Sequence, residues 1–282
     1  VVVGIDGSDS ALRAVSWAAA EAQRRGVGLR LVIAVEQTRS GPRGLDDVLL
    51  GRARSRLADA VELAAREAPA VELEHRLVVG HPISVLVAET GRAGLVVVGD
   101  RGPGPVGGLP AGSVAVGLAV QAPGTVVVVR GTGSAPAASL PVVVGVDGST
   151  GDEAPVAFAF EAAAARRVSI VAVHTWSDLA VEPEIAPQLD WAAIEDGARR
   201  LLSDGLEPWT RKYPDVGVEQ VITRDRPARA LLDQAGRAQL VVVGPGGRGA
   251  SAGLLLGSVC HSLLHRSSCP VAVVRPDPER AS

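Results

Sequence analysis

Short runs of Val, Ile, Leu and Ala alternate along this chain with longer stretches whose apolar residues recur every three or four positions. The run VVVGI at residues 1–5 predicts a buried strand, and Asp6 with Gly7 predicts the turn that ends it. Ser8 or Ser10 is suited to cap a helix reaching about Arg25, with Leu12, Val15, Ala19 and Ala22 along one face. Further strands are predicted at 29–35, 71–79, 95–98 and 125–129, and helices at 47–68, 82–89 and near 113–120. Pro82 stands where a helix starts, and Gly94 where the next strand is entered. The resulting order, β-α-β-α-β-α-β-α-β, is that of a parallel sheet covered by helices.

The second half repeats this order. Strands are predicted near 142–146, 169–174, 217–222, 240–243 and 271–274, and helices near 153–166, 189–212, 228–238 and 258–264. Two sequence marks repeat with it. VVVGIDGSDS from Val1 returns as VVVGVDGSTG from Val142, and Gly99, Gly102, Gly112 and Ser113 return as Gly244, Gly247, Gly257 and Ser258. The pattern G-x2-G-x9-G-S thus occurs twice, 145 residues apart, and marks an internal duplication. The 282 residues divide into domains at 1–130 and 141–276, with a small-residue linker at 131–140 and a tail at 277–282.

Hydrophobic residues make up 47 % and charged residues 21 %, as in ordinary folded proteins. Aromatics are only 2 %, so the core is aliphatic, and this argues against a cofactor site built on stacked rings. The formal charge of -3 lacks the basic excess of a nucleic-acid binder. No stretch of 18 apolar residues predicts a membrane span. The chain opens on a strand-like run with no basic leader, and its lack of Met points to a few residues preceding Val1; the expectation is a cytoplasmic protein. Cys260 and Cys269 have no Cys-rich or His-rich surroundings and read as buried apolar residues.

In an open parallel sheet, ligands bind beyond the carboxyl ends of the strands, where the connections diverge. Asp6 and Asp147 follow the first strand of each half and the glycine-rich segments follow the fourth, so both marks fall at that edge. Glycine lets main-chain amides approach an anion closely. Gly112-Ser113 and Gly257-Ser258 then open helices whose first-turn amides and positive ends favour phosphate, with each serine hydroxyl as a further donor. An Asp at such a place also serves as a turn or capping residue, and one side chain can do both.

Other chemistries lack their residues. No G-x4-G-K-[ST] is present, and GPGGRG at 244–249 follows the fourth strand of its half where a dinucleotide fingerprint follows the first. Neither half contains G-x-S-x-G. His261 and His265 share a helix face four residues apart, but HSLLH lacks the Glu of H-E-x-x-H and a third ligand; His81 and His174 receive no catalytic role.

Over essentially its full length the chain resembles the universal stress protein family in its tandem two-domain form. GPGGRGASAGLLLGS at 244–258 matches the family hallmark G-x2-G-x9-G-[ST], and the flanking GLLLGSVCHSLLHRSSCPVAVVRP and the openings VVVGIDGS and VVVGVDGS are similar to it too. The resemblance implies two tandem Rossmann-like, open, mainly parallel five-stranded sheets with helices on both faces. It implies ATP, alone or with Mg²⁺, as the ligand, in a regulatory or stress-linked role with little or no turnover. By the same resemblance Asp6 and Asp147 contact the adenosine portion, and Ala34 and Thr175, each 28 positions beyond its Asp, back the adenine. Gly99, Gly102, Gly112 and Ser113, and likewise Gly244, Gly247, Gly257 and Ser258, hold ribose and phosphates, with Val114 and Val259 beside them. Pairing of final strands, as in the family, brings 125–129 beside 271–274 within the chain, and a homodimer is expected in addition.

The first loop, GDRGPGPVGGLPAGS, carries Pro103, Pro105 and Pro110, which remove amide donors and fix φ. The second site is therefore expected to bind at least as tightly as the first. Two rival functions stay open: a slow ATPase or phosphotransferase, and an interaction module whose pockets take another nucleotide or none.

Overall fold

A computed structural model describes residues 1–36, 45–102, 112–131, 139–176, 190–247 and 256–275. Pro103, Pro105 and Pro110, most of the linker, the interior of the second glycine-rich loop and the tail lie outside the described residues. The chain divides into two compact units, the first comprising Val1–Gly133 with the final segment from Pro270, the second Ser134–Cys269.

In the first unit β1 (Val2–Ile5), β2 (Leu29–Val35), β3 (Leu73–Val79), β4 (Leu95–Gly99) and β5 (Thr125–Val129) pair in parallel in the order β3-β2-β1-β4-β5. The Val runs of β1, β4 and β5 are buried along their length, as required of strands covered on both faces. Between the strands run α1 (Asp9–Arg25), α2 (Leu45–Glu67), α3 (Pro82–Ala93) and α4 (Ser113–Gln121). Small residues let α1 lie close on the sheet: Ala11, Ala14, Val15, Ala18, Ala19 and Ala22 are all buried. Of the two candidate caps Ser8 is the one used, its hydroxyl accepting from Ala11 N at 3.1 Å, while Gly26 ends the helix in the left-handed region. The helix α3 runs past the predicted residue 89 to Ala93, where Gly94 at φ 68° closes it by donating to Thr90 O.

The second unit has the same plan. Its strands β6 (Val142–Gly145), β7 (Ile170–Thr175), β8 (Val218–Thr223) and β9 (Leu240–Val243) pair in parallel in the order β9-β6-β7-β8. A 3₁₀ turn (Thr150–Asp152) leads into α5 (Glu153–Arg166), followed by α6 (Trp191–Lys212), α7 (Pro227–Ala235) and α8 (Ser258–Arg266). Phe160 is fully buried and stacks against Trp209 and Tyr213, an aromatic cluster between α5 and α6. The last strand, β10 (Val271–Val273), joins the first unit, running antiparallel to β5 with Ala272 opposite Val127. The buried edge strand β5 thereby gains a partner, which removes a template for unwanted strand addition.

Candidate functional site

The carboxyl ends of β6, β7 and β9 and the start of α8 enclose a cavity of about 820 Å³ within the second unit. All seven residues singled out there by sequence, Asp147, Thr175, Gly244, Gly247, Gly257, Ser258 and Val259, line it. A volume of this order suits a small organic ligand.

The turn after β6 is built on Gly148 at φ 81°, a left-handed conformation that L side chains resist. It turns the Asp147 side chain back so that Oδ1 accepts from Ser149 N at 2.8 Å. Oδ2 lies toward the glycine-rich segment, 3.0 Å from where a Cβ on Gly247 would stand. Gly257 N donates to Pro245 O at 2.8 Å and draws the two ends of that segment together. Intrahelical bonding in α8 begins with His261 N donating to Gly257 O at 3.0 Å, so the amides of Ser258, Val259 and Cys260 precede it at the positive helix end. Ser258 is exposed beside the cavity. Carboxylate, helix terminus and hydroxyl thus form one rim, with acceptors at one end and donors at the other.

Of the other lining residues, Asp152 and Trp176 carry side chains able to act on a ligand and were not marked by the sequence. Asp152 closes the turn by accepting from Asp147 N at 3.0 Å and Gly148 N at 2.6 Å. Burial and the neighbouring Asp147 carboxylate push it up to about 6, against the pull of those two amides. Its counterpart in the first half is Ala11, so the duplication gave no signal for it. The second is Trp176, directly after Thr175, which lines the cavity and packs against Trp191 with ring centroids 5.6 Å apart. The low aromatic content argues against a site built on stacked rings, yet two of the few rings meet at this edge.

His174 is buried at the cavity wall, with Nδ1 2.7 Å from Val146 O; since a carbonyl only accepts, this nitrogen carries the proton. Cys260 and Cys269 are buried and not joined in a disulfide. Cys260 Sγ donates to Gly244 O, and burial pushes the Cys269 thiol up to about 11. The Nε2 atoms of His261 and His265 lie 3.1 Å apart, and among the described residues no group of three His, Cys, Asp or Glu side chains is placed to hold a metal.

The first unit reproduces the scaffold with different side chains. Gly7 has the same φ of 81°, Asp6 Oδ1 accepts from Ser8 N and Oγ, and Asp6 Oδ2 lies 3.2 Å from a Cβ on Gly102. Gly112 N donates to Asp100 O at 2.7 Å, matching Gly257 and Pro245. Asp6, Gly99, Gly102 and Gly112 are thus brought to one edge, with Ser113 and Val114 opening α4 and Ala34 near the end of β2. Arg56, however, lies against Gly7, where the corresponding residue of the second unit is the cavity-lining Leu201. Asp100 is buried, accepting from Ser10 Oγ at 2.6 Å and flanked by Arg13, Arg101 and Arg130, and burial holds the Arg130 guanidinium below its usual value. Pro245 stands in its place in the second unit.

Residues 1–130 and 140–275 both match the universal stress protein family. The chain belongs to that family, as a tandem two-domain member. A universal stress protein of Mycobacterium tuberculosis is 37 % identical over 286 residues, spanning 98 % of this chain and 96 % of its relative. Among solved structures, a universal stress protein from Archaeoglobus fulgidus superposes with a TM-score of 0.69 at 16 % identity, covering 97 % of each chain, a likeness of fold. A universal stress protein in complex with cAMP is 33 % identical over 46 % of this chain and 94 % of its own, with a TM-score of 0.38. Among the described residues no helix is long and apolar enough to cross a membrane.

Proposed function

We propose that this universal stress protein is an ATP-binding regulatory protein acting in a stress response in the cytoplasm, with its better-formed adenine-nucleotide pocket in the second unit. The reading rests on one observation above others: the Asp after the first strand and the glycines after the fourth, marked independently by the duplication, line a single cavity. In this reading Asp147 accepts from the adenosine portion, Thr175 backs the adenine, and Gly244, Gly247 and Gly257 keep the wall low enough for close approach. Ser258 and the first-turn amides of α8, with Val259 beside them, hold phosphate at a helix terminus. Mg²⁺, where it accompanies the nucleotide, is held by phosphate oxygens and water, because the matched loop contains no Asp or Glu. Asp6, Ala34, Gly99, Gly102, Gly112, Ser113 and Val114 form the second, altered site, and a homodimer is the proposed assembly.

Slow hydrolysis is the second reading, and the pair Asp147 and Asp152 favours it, since metal-assisted attack by water uses such carboxylates. Both lie at the turn after β6, however, and Asp152 is engaged with two backbone amides. Binding without appreciable turnover is the reading adopted. Mass spectrometry of the ligand released from gently purified protein tests it: an adenine nucleotide supports the proposal, whereas a different ligand class, carried by the folded chain in place of adenine nucleotides, contradicts it.

A further inference from the structure

Where β7 and β8 end, their last register pair is Thr175 opposite Thr223, and the next residues on the two strands are Trp176 and Arg224. Trp191, the first residue of α6, meets both of them. Its ring lies 5.6 Å from that of Trp176 at an interplanar angle of 33°, and the Arg224 guanidinium carbon stands 4.1 Å from its centroid and 5.7 Å from that of Trp176. These separations are those of packed rings and of cation–π contact. Both tryptophans are half-buried and Arg224 is exposed, so the cluster sits at the surface of the unit, with Trp176 reaching the cavity wall.

Among the described residues the first unit has nothing of the kind. The interval of 28 positions that relates Asp147 to Thr175 relates Asp6 to Ala34, so Val35 stands in the place of Trp176, and its register partner Val79 in the place of Arg224. Aliphatic residues suffice to close the sheet edge there. An indole in contact with a second indole and a guanidinium is an expensive use of a chain with only four tryptophans, and it occurs where the cavity opens beside Thr175.

We propose that Trp176 is the base-stacking wall of the second-unit cavity, with Trp191 and Arg224 as positioning residues that fix its ring plane. The proposal rests on the nucleotide reading and adds to it a specificity element that the family hallmark does not contain. A flat heteroaromatic base offers the π-face such a wall recognises, while phosphate binding at α8 does not depend on it.

The test is calorimetric titration of ATP into the full chain and into Trp176→Phe, Trp176→Leu, Arg224→Ala and Arg224→Lys, with thermal melts confirming that each is folded. Trp176→Leu is expected to weaken the second-unit site about tenfold or more, and Trp176→Phe by less than about threefold, because Phe keeps a π-face and Leu does not. Arg224→Ala should lose a few-fold and Arg224→Lys recover most of it, a rescue that loss of packing alone would not show. ATP should also quench tryptophan emission in the wild type and much less in Trp176→Phe. Equal affinities for the Leu and Phe variants, or an unchanged quench in Trp176→Phe, overturn the stacking wall and leave nucleotide binding standing. Failure of the wild type to bind any nucleotide overturns both.

Discussion

The Asp147 carboxylate oxygen Oδ2 lies 3.0 Å from the point a side-chain carbon on Gly247 would occupy. The two residues are 100 positions apart in sequence and meet because β6 and β9 are parallel neighbours whose carboxyl ends share one edge. Gly247→Ala forces the carboxylate to move by a few tenths of an ångström, and Gly247→Val by more. ATP affinity is expected to fall several-fold for Ala and about tenfold or more for Val, read by calorimetry on the folded variants. Because the site is at the surface edge of the sheet, the cost in stability should stay within about 1 kcal/mol.

The corresponding first-unit contact, Asp6 to Gly102, is also close, yet the two units are predicted to differ. Among the described residues, a Cβ on Gly257 would meet Gly246 Cα at 3.3 Å, whereas the nearest atom to one on Gly112 is Asp100 O at 3.5 Å. Arg56 also covers Gly7 in the first unit. Gly257→Val should therefore remove most of the measured ATP binding and Gly112→Val a smaller part. Loss of nearly all binding on Gly112→Val, with Gly257→Val unaffected, would assign the stronger site to the first unit.

Asp152 makes stability pH-dependent. Its carboxyl is raised from 3.8 to about 6, so the folded state binds its proton more tightly than the unfolded chain does. That contribution is fully present below about pH 4 and is lost as pH rises through 6. Asp152→Asn keeps an oxygen for the amides of Asp147 and Gly148 without the charge. It should be more stable than the parent at pH 8, by an amount on the order of 1 kcal/mol after allowance for solvent screening, and indistinguishable from it near pH 4. Urea unfolding at the two pH values measures both.

Hydrolysis is expected to be far below ordinary enzymatic rates, which centre near 10 per second. Phosphate release faster than about one turnover per minute, abolished by Asp147→Ala or Ser258→Ala, would convert the binding protein into an enzyme.

Much of this architecture is legible in the sequence, because strands buried on both faces are written as unbroken Val runs and the duplication reads each of them twice. The glycine-rich segment and its Asp were legible for the same reason, their spacing being preserved in two copies. What escaped is what only one copy has. Asp152 stands opposite Ala11, and Trp176 opposite Val35, so repetition could not mark either. Trp176, Trp191 and Arg224 are separated by 15 and 33 residues and become neighbours only through the register of β7 on β8 and the start of α6. The choice of Ser8 over Ser10 as helix cap was equally tertiary, since Ser10 Oγ is held by the buried Asp100, 90 residues on.

The most direct test of the central claim is calorimetric titration of ATP into protein stripped of copurified ligand. Saturable binding at up to two sites, weakened selectively by Gly257→Val, is the predicted result. No detectable heat or protection at millimolar ATP, from a chain whose melting shows it folded, would contradict the claim.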